Sequence, residues 1–377
     1  MEDQLKPTPS PTKRHFAPLH IPLRRRIQTL VVAICVSIQL VGIFLTIVFL
    51  CFPITRELML LYLAFIFFDT LVLKTSKRGG RPIPSLRASR FFNHYVEFFP
   101  IRLHKTADLD PSKNYVFGFH PHGIIGIGTF GAFLTSSCGF GEKFPGISLY
   151  TQALSFVRLV CRFNLGCQVS RIPFSREFLM GCGVCDVSRE SCEYNLSRGP
   201  GTRHSILIVP GGAKEALDAR PGDMTKLTLA SRMGFVAVAL RHGAPLVPVF
   251  SFGENNVYNQ LPNPKGSCTR RMQDLMQKFC GFSTPVFYAR GIFNYTFGFL
   301  PFRTPINVVG THGVNNLSVG PPLVLPKLEQ PTRVGLAASL IKDEVSFWHG
   351  KYIEALQVLF DTNKSKYAST EATLVIS

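Results

Sequence analysis

Twenty-four consecutive residues, Thr29 to Phe52 (TLVVAICVSIQLVGIFLTIVFLCF), carry no charged side chain. As a helix the run is about 36 Å long, enough to cross a hydrocarbon core about 30 Å thick. Pro53 breaks it. A second apolar run, Leu58 to Leu73, would span about 24 Å and carries Asp69 near its end. Basic residues flank the pair on both outer sides: Arg24, Arg25 and Arg26 before it, and Lys74, Lys77, Arg78 and Arg81 after it. Positive charge stays on the cytosolic side, so both flanks belong there and the two runs read as a hairpin. The alternative is one span followed by a buried amphipathic helix. It would carry the rest of the chain across the membrane, against the charge rule. On the hairpin reading none of the sequons at Asn195, Asn294, Asn316 and Asn363 meets the lumen.

Composition points the same way. Hydrophobic residues make up 46% of the 377 and charged residues 17%, with 33 Phe against one Trp. Such a chain suits contact with lipid. The net charge of +18 would suit nucleic acid, an anionic membrane face or a polyanionic small molecule. No zinc-finger, homeodomain or RNA-recognition pattern accompanies the charge, so nucleic acid is not an expected partner. The ten cysteines follow no cleavable signal peptide and read as reduced thiols. Cys182 and Cys185 form a C-x-x-C with no second half, so they and Cys192 read as small buried side chains rather than zinc ligands.

The chain divides into a basic cytosolic tail (1–28), the membrane hairpin (29–73), an interfacial linker (74–113) and a larger domain (114–377). Within the linker, residues 82–113 are expected to lie on the membrane through Phe91, Phe92, Phe98 and Phe99. Asn114–His120, Ser205–Gly212, Ala244–Gly253 and Pro305–Gly310 read as strands. Ile147–Arg162, Thr225–His242 and Lys342–Asp361 read as helices, the last with Val345, Trp348, Tyr352, Leu356 and Leu359 at helical spacing. Alternating strands and helices give an α/β class with helices on the faces of the sheet.

Three segments carry the candidate chemistry. His120-Pro121-His122-Gly123 ends a strand, where sites form in open α/β sheets. An imidazole there can take a proton from a hydroxyl, Pro121 fixes the backbone and Gly123 admits a close approach. Two structural histidines capping a strand are the plainer reading. In Val209–Gly222 a strand ends in Pro-Gly-Gly. The amides of Gly211 and Gly212 can hold a phosphate or an oxyanion, and Lys214 adds charge. Arg241 and His242 close a helix, where the macrodipole alone explains cations. An H-x-H can also bind zinc or iron, but His204, His242, His312 and His349 lack carboxylates at useful spacing to complete the set.

The segments NYVFGFHPHGIIGIG, FPGI, REFLMGCGVCDVSRE, VPGGAKEAL, GFVAVALRHGAPLVPVFSFGENNVY and KYIEALQVLFDTNKSKY together resemble the type-2 diacylglycerol acyltransferase family, which includes the monoacylglycerol acyltransferases. The likeness runs from about Lys74 to Tyr367 and takes in the N-terminal hairpin. It implies a membrane-anchored acyltransferase domain, a mixed sheet covered by helices behind a transmembrane hairpin, in the endoplasmic reticulum with its domain facing the cytosol, and also on lipid droplets. It implies transfer of an acyl group from acyl-CoA, as co-substrate, to a free glyceride hydroxyl. No cofactor or metal is implied; membrane lipids, acyl-CoA and an acylglycerol are the partners, and a homo-oligomer is left open. His120, Pro121, His122 and Gly123 match the family's H-P-H-G, with His122 as base and His120 tuning it. The distantly similar glycerophosphate acyltransferases use H-x-x-x-x-D; the corresponding positions here are Ile125 and Ile127, so Glu215 is the candidate substitute carboxylate. Gly211 and Gly212 would then face the oxyanion, and Lys214, Arg241 and His242 the substrate. Diacylglycerol, esterified to triacylglycerol, is the expected acceptor; a monoacylglycerol or a fatty alcohol is the alternative, and a non-catalytic lipid-droplet protein is the other class. Leu159–Ser170, Thr311–Gly320 and Val334–Lys342 depart from the family as apparent insertions.

Overall fold

The computed structural model describes residues 16–18, 20–153, 172–197, 204–264, 266–280, 285–312, 323–326 and 336–377. Of the three apparent insertions, 159–170 lies outside these residues, as do 313–320 of the second and 334–335 of the third.

The N-terminal apolar run forms a 29-residue helix, Leu23–Cys51, long and apolar enough by length and composition to cross a membrane. Phe52 is extended, and Pro53 opens a second helix, Pro53–Phe68. Proline suits that place because a first-turn N–H has no helical partner to lose. Both helices rest one side against the rest of the chain. Gln28 donates to Glu97 at 2.9 Å. A Cβ on Gly42 would stand 2.6 Å from the Pro173 carbonyl. Phe49 and Tyr62 pack on the Phe174 ring at 5.7 Å. Their other sides expose Leu40, Phe44, Ile54, Leu58, Leu61 and Phe67. Where the second helix ends, Asp69 is fully buried and pairs with the equally enclosed Arg176 and, at 2.6 Å, with Arg81. The Thr75 hydroxyl donates to the same carboxylate.

Among the described residues eleven strands follow: β1 Arg102–Thr106, β2 Val116–His120, β3 Ser148–Ala153, β4 Val184–Asp186, β5 His204–Ile208, β6 Met224–Leu227, β7 Leu246–Phe252, β8 Asn259–Gln260, β9 Phe287–Tyr288, β10 Asn307–His312 and β11 Thr373–Ile376. Seven build the main sheet in the order β1-β10-β7-β2-β5-β3-β4. The five from β7 to β4 are parallel; β10 runs antiparallel to β7, and β1 lies parallel to β10 at the edge. The sheet is mixed, in an α/β fold. Every residue of β2 is buried, as a central strand covered on both faces requires. Side chains alternate across it. Phe117 and Phe119 join a cluster with Phe98, Phe99 and Phe133. Val116 faces the opposite way, onto the C-terminal helix Leu336–Tyr367, with Tyr352, Leu356 and Phe360.

Three sequence expectations are corrected. The linker does not lie on the membrane through all four of its phenylalanines: Phe92, Phe98 and Phe99 are fully buried, on or just after the helix Phe91–Phe98. Each gains about 1.5–3 kcal/mol from burial, and the core supplies it as well as lipid does. Ile147–Arg162 is not a helix where described, because Ser148–Ala153 pairs on both sides with β4 and β5. Thr225–His242 is not one helix: Met224–Leu227 pairs with β11, and the helix starts only at Gly234. In both, strand partners distant in sequence override local periodicity.

Candidate active site

The parallel strands β5, β2 and β7 are neighbours, and each ends at the same edge of the sheet. Three turns therefore meet there. Val209–Gly211 follows β5 and leads into the helix Gly212–Ala216. The H-P-H-G turn follows β2, and Gly253-Glu254 follows β7. The carboxyl edge of parallel strands is where α/β folds bind their ligands.

His120 ends β2 on the face of the C-terminal helix and is fully buried. The Tyr352 hydroxyl donates to the Gly118 carbonyl at 3.1 Å and lies 3.0 Å from His120 Nε2. A hydroxyl has one hydrogen, already used, so Nε2 carries the proton and the tyrosine oxygen accepts it. Nδ1 is left without a partner among the described residues. Burial pushes the His120 pKa down to about 3, so the ring stays neutral. Only glycine fits at 118, where a Cβ would overlap the tyrosine hydroxyl.

His122 keeps partial exposure. Its Nδ1 lies 3.0 Å from the Gly123 carbonyl. A carbonyl can only accept, so Nδ1 bears the hydrogen and Nε2 holds the free lone pair. Burial lowers the ring's pKa, and the Gly123 carbonyl opposes that shift. The result is a neutral imidazole with one basic nitrogen, the form that a general base needs.

Two buried carboxylates brace the turn. Glu215 Oε1 accepts the His122 backbone N–H at 2.6 Å, and Oε2 accepts the Thr228 N–H at 3.1 Å. Glu215 therefore holds the main chain of His122, not its ring. Glu254 accepts the Gly128 N–H at 2.9 Å and the Ser251 hydroxyl at 3.0 Å. Gly123, at φ +61°, would set a Cβ 2.8 Å from Glu254 Cγ. Burial raises both carboxyl pKa values to about 7. Glu254 was no sequence candidate; its stretch, FGENNVY, supplied family likeness without a role.

The other candidates divide. Gly211 and Gly212 are buried beside the histidine turn, and a Cβ on Gly211 would overlap the Glu215 carboxylate. Pro121 is buried in the turn, and Lys214 is exposed on the helix after Gly211. Arg241 and His242 end the helix Gly234–His242, which returns the chain to the start of β7. They lie at the opposite edge of the sheet from His120, and Arg241 pairs with Glu193 at 2.9 Å. The structure does not bring them to the site. Cys182, Cys185 and Cys192 are buried, and burial pushes the Cys182 and Cys192 thiols up to about 12.

The diacylglycerol acyltransferase family profile matches residues 48–377. The chain belongs to that family. It is 40% identical to diacylglycerol O-acyltransferase 2B of Umbelopsis ramanniana, over 94% of this chain and 93% of that protein. It is 39% identical to 2-acylglycerol O-acyltransferase 1 of Bos taurus, over 97% and 99%. Against human diacylglycerol O-acyltransferase 2 the identity is 40%, over 84% and 72%. No solved structure matches the chain.

The Glu254 carboxyl gives a pH test. An acid whose folded pKa is raised stabilises the fold fully below its ordinary value of 4.5, and that contribution is lost as pH rises through about 7. Glu254→Gln removes the titration and keeps an acceptor for Gly128. Between pH 4.5 and 7 the wild type should lose on the order of 3 kcal/mol relative to the variant. Melting midpoints of both proteins in one detergent check it, since all other groups titrate alike. A gap between them that stays constant with pH contradicts the assignment.

Proposed function

We propose that this chain is an acyl-CoA-dependent diacylglycerol acyltransferase with His122 as general base. The observation that carries the reading is the free Nε2 lone pair of His122 at the carboxyl edge of the sheet, beside the Pro-Gly-Gly turn, in a chain of this family. Nε2 takes the proton from the acceptor hydroxyl as its oxygen attacks the thioester carbon. The Gly211 and Gly212 amides receive the negative charge that gathers on the carbonyl oxygen. The carbon–sulfur bond then breaks, and the imidazolium returns its proton to the CoA thiolate. His120, locked as its Nε2–H tautomer by Tyr352, holds the strand end that carries the base. No covalent acyl-enzyme is needed.

Lys214, exposed on the helix after Gly211, takes the place of Arg241 and His242 as the cation assigned to CoA phosphates. The two apolar helices form a hairpin in the endoplasmic reticulum membrane, with the sheet on the cytosolic side and access to lipid droplets. The relative from Bos taurus is named for 2-acylglycerol, which makes monoacylglycerol the second acceptor to test. Microsomes carrying the chain, given labelled acyl-CoA with each acceptor in turn, should make triacylglycerol from diacylglycerol at the highest rate. A higher rate on 2-monoacylglycerol reassigns the acceptor; no ester from any alcohol rejects the function.

A further inference from the structure

The segment between β9 and β10 is apolar where it has no reason to be if water surrounds it. Phe293, Phe297 and Phe299 are 72%, 67% and 73% exposed, and Ile292 is exposed beside them. The segment is built, not loose. Ala289 N–H donates to the Gly298 carbonyl at 2.7 Å, and Arg290 and Leu300 exchange backbone hydrogen bonds at 2.8 and 2.9 Å. Holding three phenylalanine rings outward on a closed loop costs several kcal/mol of unburied surface unless something apolar receives them.

Two further contacts say what receives them. First, the loop sits at the N-terminal end of the Leu23–Cys51 helix. Arg303 Nη1 donates to Gln28 Oε1 at 2.6 Å, and the Ala17 N–H donates to the Phe293 carbonyl at 2.8 Å. That helix end carries the exposed Arg24, Arg25 and Arg26. A basic cluster at the end of a membrane helix lies at lipid headgroup depth, so the loop beside it does too. Second, the loop leads into β10, which enters the sheet with Asn307 paired to Phe252 at the carboxyl end of β7. Phe302 N–H donates to the Val257 carbonyl, in the turn that begins with Glu254. The exposed rings therefore hang from the same edge of the sheet as His122.

We propose that the Ile292–Phe299 loop is an interfacial membrane anchor, separate from the N-terminal helices, that seats the catalytic edge of the sheet on the bilayer surface. Its partner is a lipid surface: aromatic rings enter the acyl-chain boundary while neighbouring arginines meet the headgroups. The placement rests on the acyltransferase reading for its use, because it lets a bilayer-borne alcohol reach the base without crossing water. The anchor itself is tested independently.

Full-length protein carrying Phe297→Trp, or Phe293→Trp, is reconstituted in phosphatidylcholine vesicles whose acyl chains are brominated at shallow or deep positions. Trp348 on the C-terminal helix is the internal reference. The introduced indole should be quenched about twofold or more by shallow bromines, and less by deep ones, while Trp348 fluorescence stays unchanged. An indole quenched no more than Trp348 overturns the proposal, and so does one that is unquenched but cross-links to a second copy of the chain. The triple variant Phe293→Ser, Phe297→Ser, Phe299→Ser keeps both N-terminal helices and should remain membrane-bound. Its acylation of a long-chain acceptor in vesicles should fall about tenfold, equivalent to about 1.4 kcal/mol, with a detergent-dispersed short-chain acceptor unaffected. Equal losses on both acceptors would count against the anchor. A quenched indole in the Phe297→Trp or Phe293→Trp protein, with a wild type that makes no ester, removes the acyltransferase reading and leaves the anchor standing.

Discussion

His122→Ala should cut acyl transfer by about 10²- to 10⁴-fold, the share that a positioned general base supplies. The loss should fall on kcat, with the KM for acyl-CoA little changed, because the ring is placed to meet the reacting hydroxyl and not the thioester's nucleotide. Stability should change little: His122 is partly exposed, and its ring bonds to its neighbour's carbonyl. The measurement is product formation from labelled acyl-CoA in membranes holding equal amounts of wild type and variant. His120→Ala is the informative contrast. It opens a cavity in the core and removes the donor to the Tyr352 oxygen, so it should lower the melting midpoint along with the rate. A His122→Ala enzyme that runs at the wild-type rate takes the residue out of the mechanism.

The largest expected effect on stability is elsewhere, where the apolar helices join the globular part. Asp69→Ala should cost about 3–5 kcal/mol, because it leaves the guanidinium of Arg176 enclosed without the carboxylate that Asp69 supplies. Arg81 also loses its 2.6 Å partner there, but it is partly exposed and can turn to water. The diagnostic is the double variant. Asp69→Ala with Arg176→Met removes both charges and should recover a large part of the lost stability, since a packed apolar pair often matches a buried ion pair. Melting in detergent micelles reads the order wild type, double variant, single variant. A single variant as stable as the wild type would mean that the pair contributes nothing; a double variant worse than the single would mean that packing, not charge, holds the joint.

How far the sequence carried depended on whether the signal was local. The H-P-H-G turn at a strand end was legible because a run of apolar residues, a histidine and a glycine lie within eight positions. The first apolar helix was legible because its signal is the absence of charge. β3 was not legible: Ser148–Ala153 takes its partners from β4 and β5, which begin at Val184 and His204. β1 was read as membrane linker because its partner, β10, starts at Asn307. The buried phenylalanines Phe92, Phe98 and Phe99 misled for a different reason, since composition cannot tell a core from a lipid phase. Arg241 and His242 stood close to a strand in sequence, yet a helix antiparallel to the sheet carried them to its far edge. Glu254 gave no warning, because its burial exists only once β7 lies beside β2. Tyr352 was correctly given to the inner face of a helix by spacing, but the purpose of its hydroxyl is a contact 232 residues away.

That last separation has a consequence for biogenesis. At about 5–20 residues per second, the ribosome needs roughly 10–50 s to travel from one end of the Tyr352–His120 contact to the other. During that interval β2 gains its neighbours β5 and β7, but His120 still lacks the Tyr352 hydroxyl that meets its Nε2. We therefore expect the histidine turn to be fastened only once the C-terminal helix has packed.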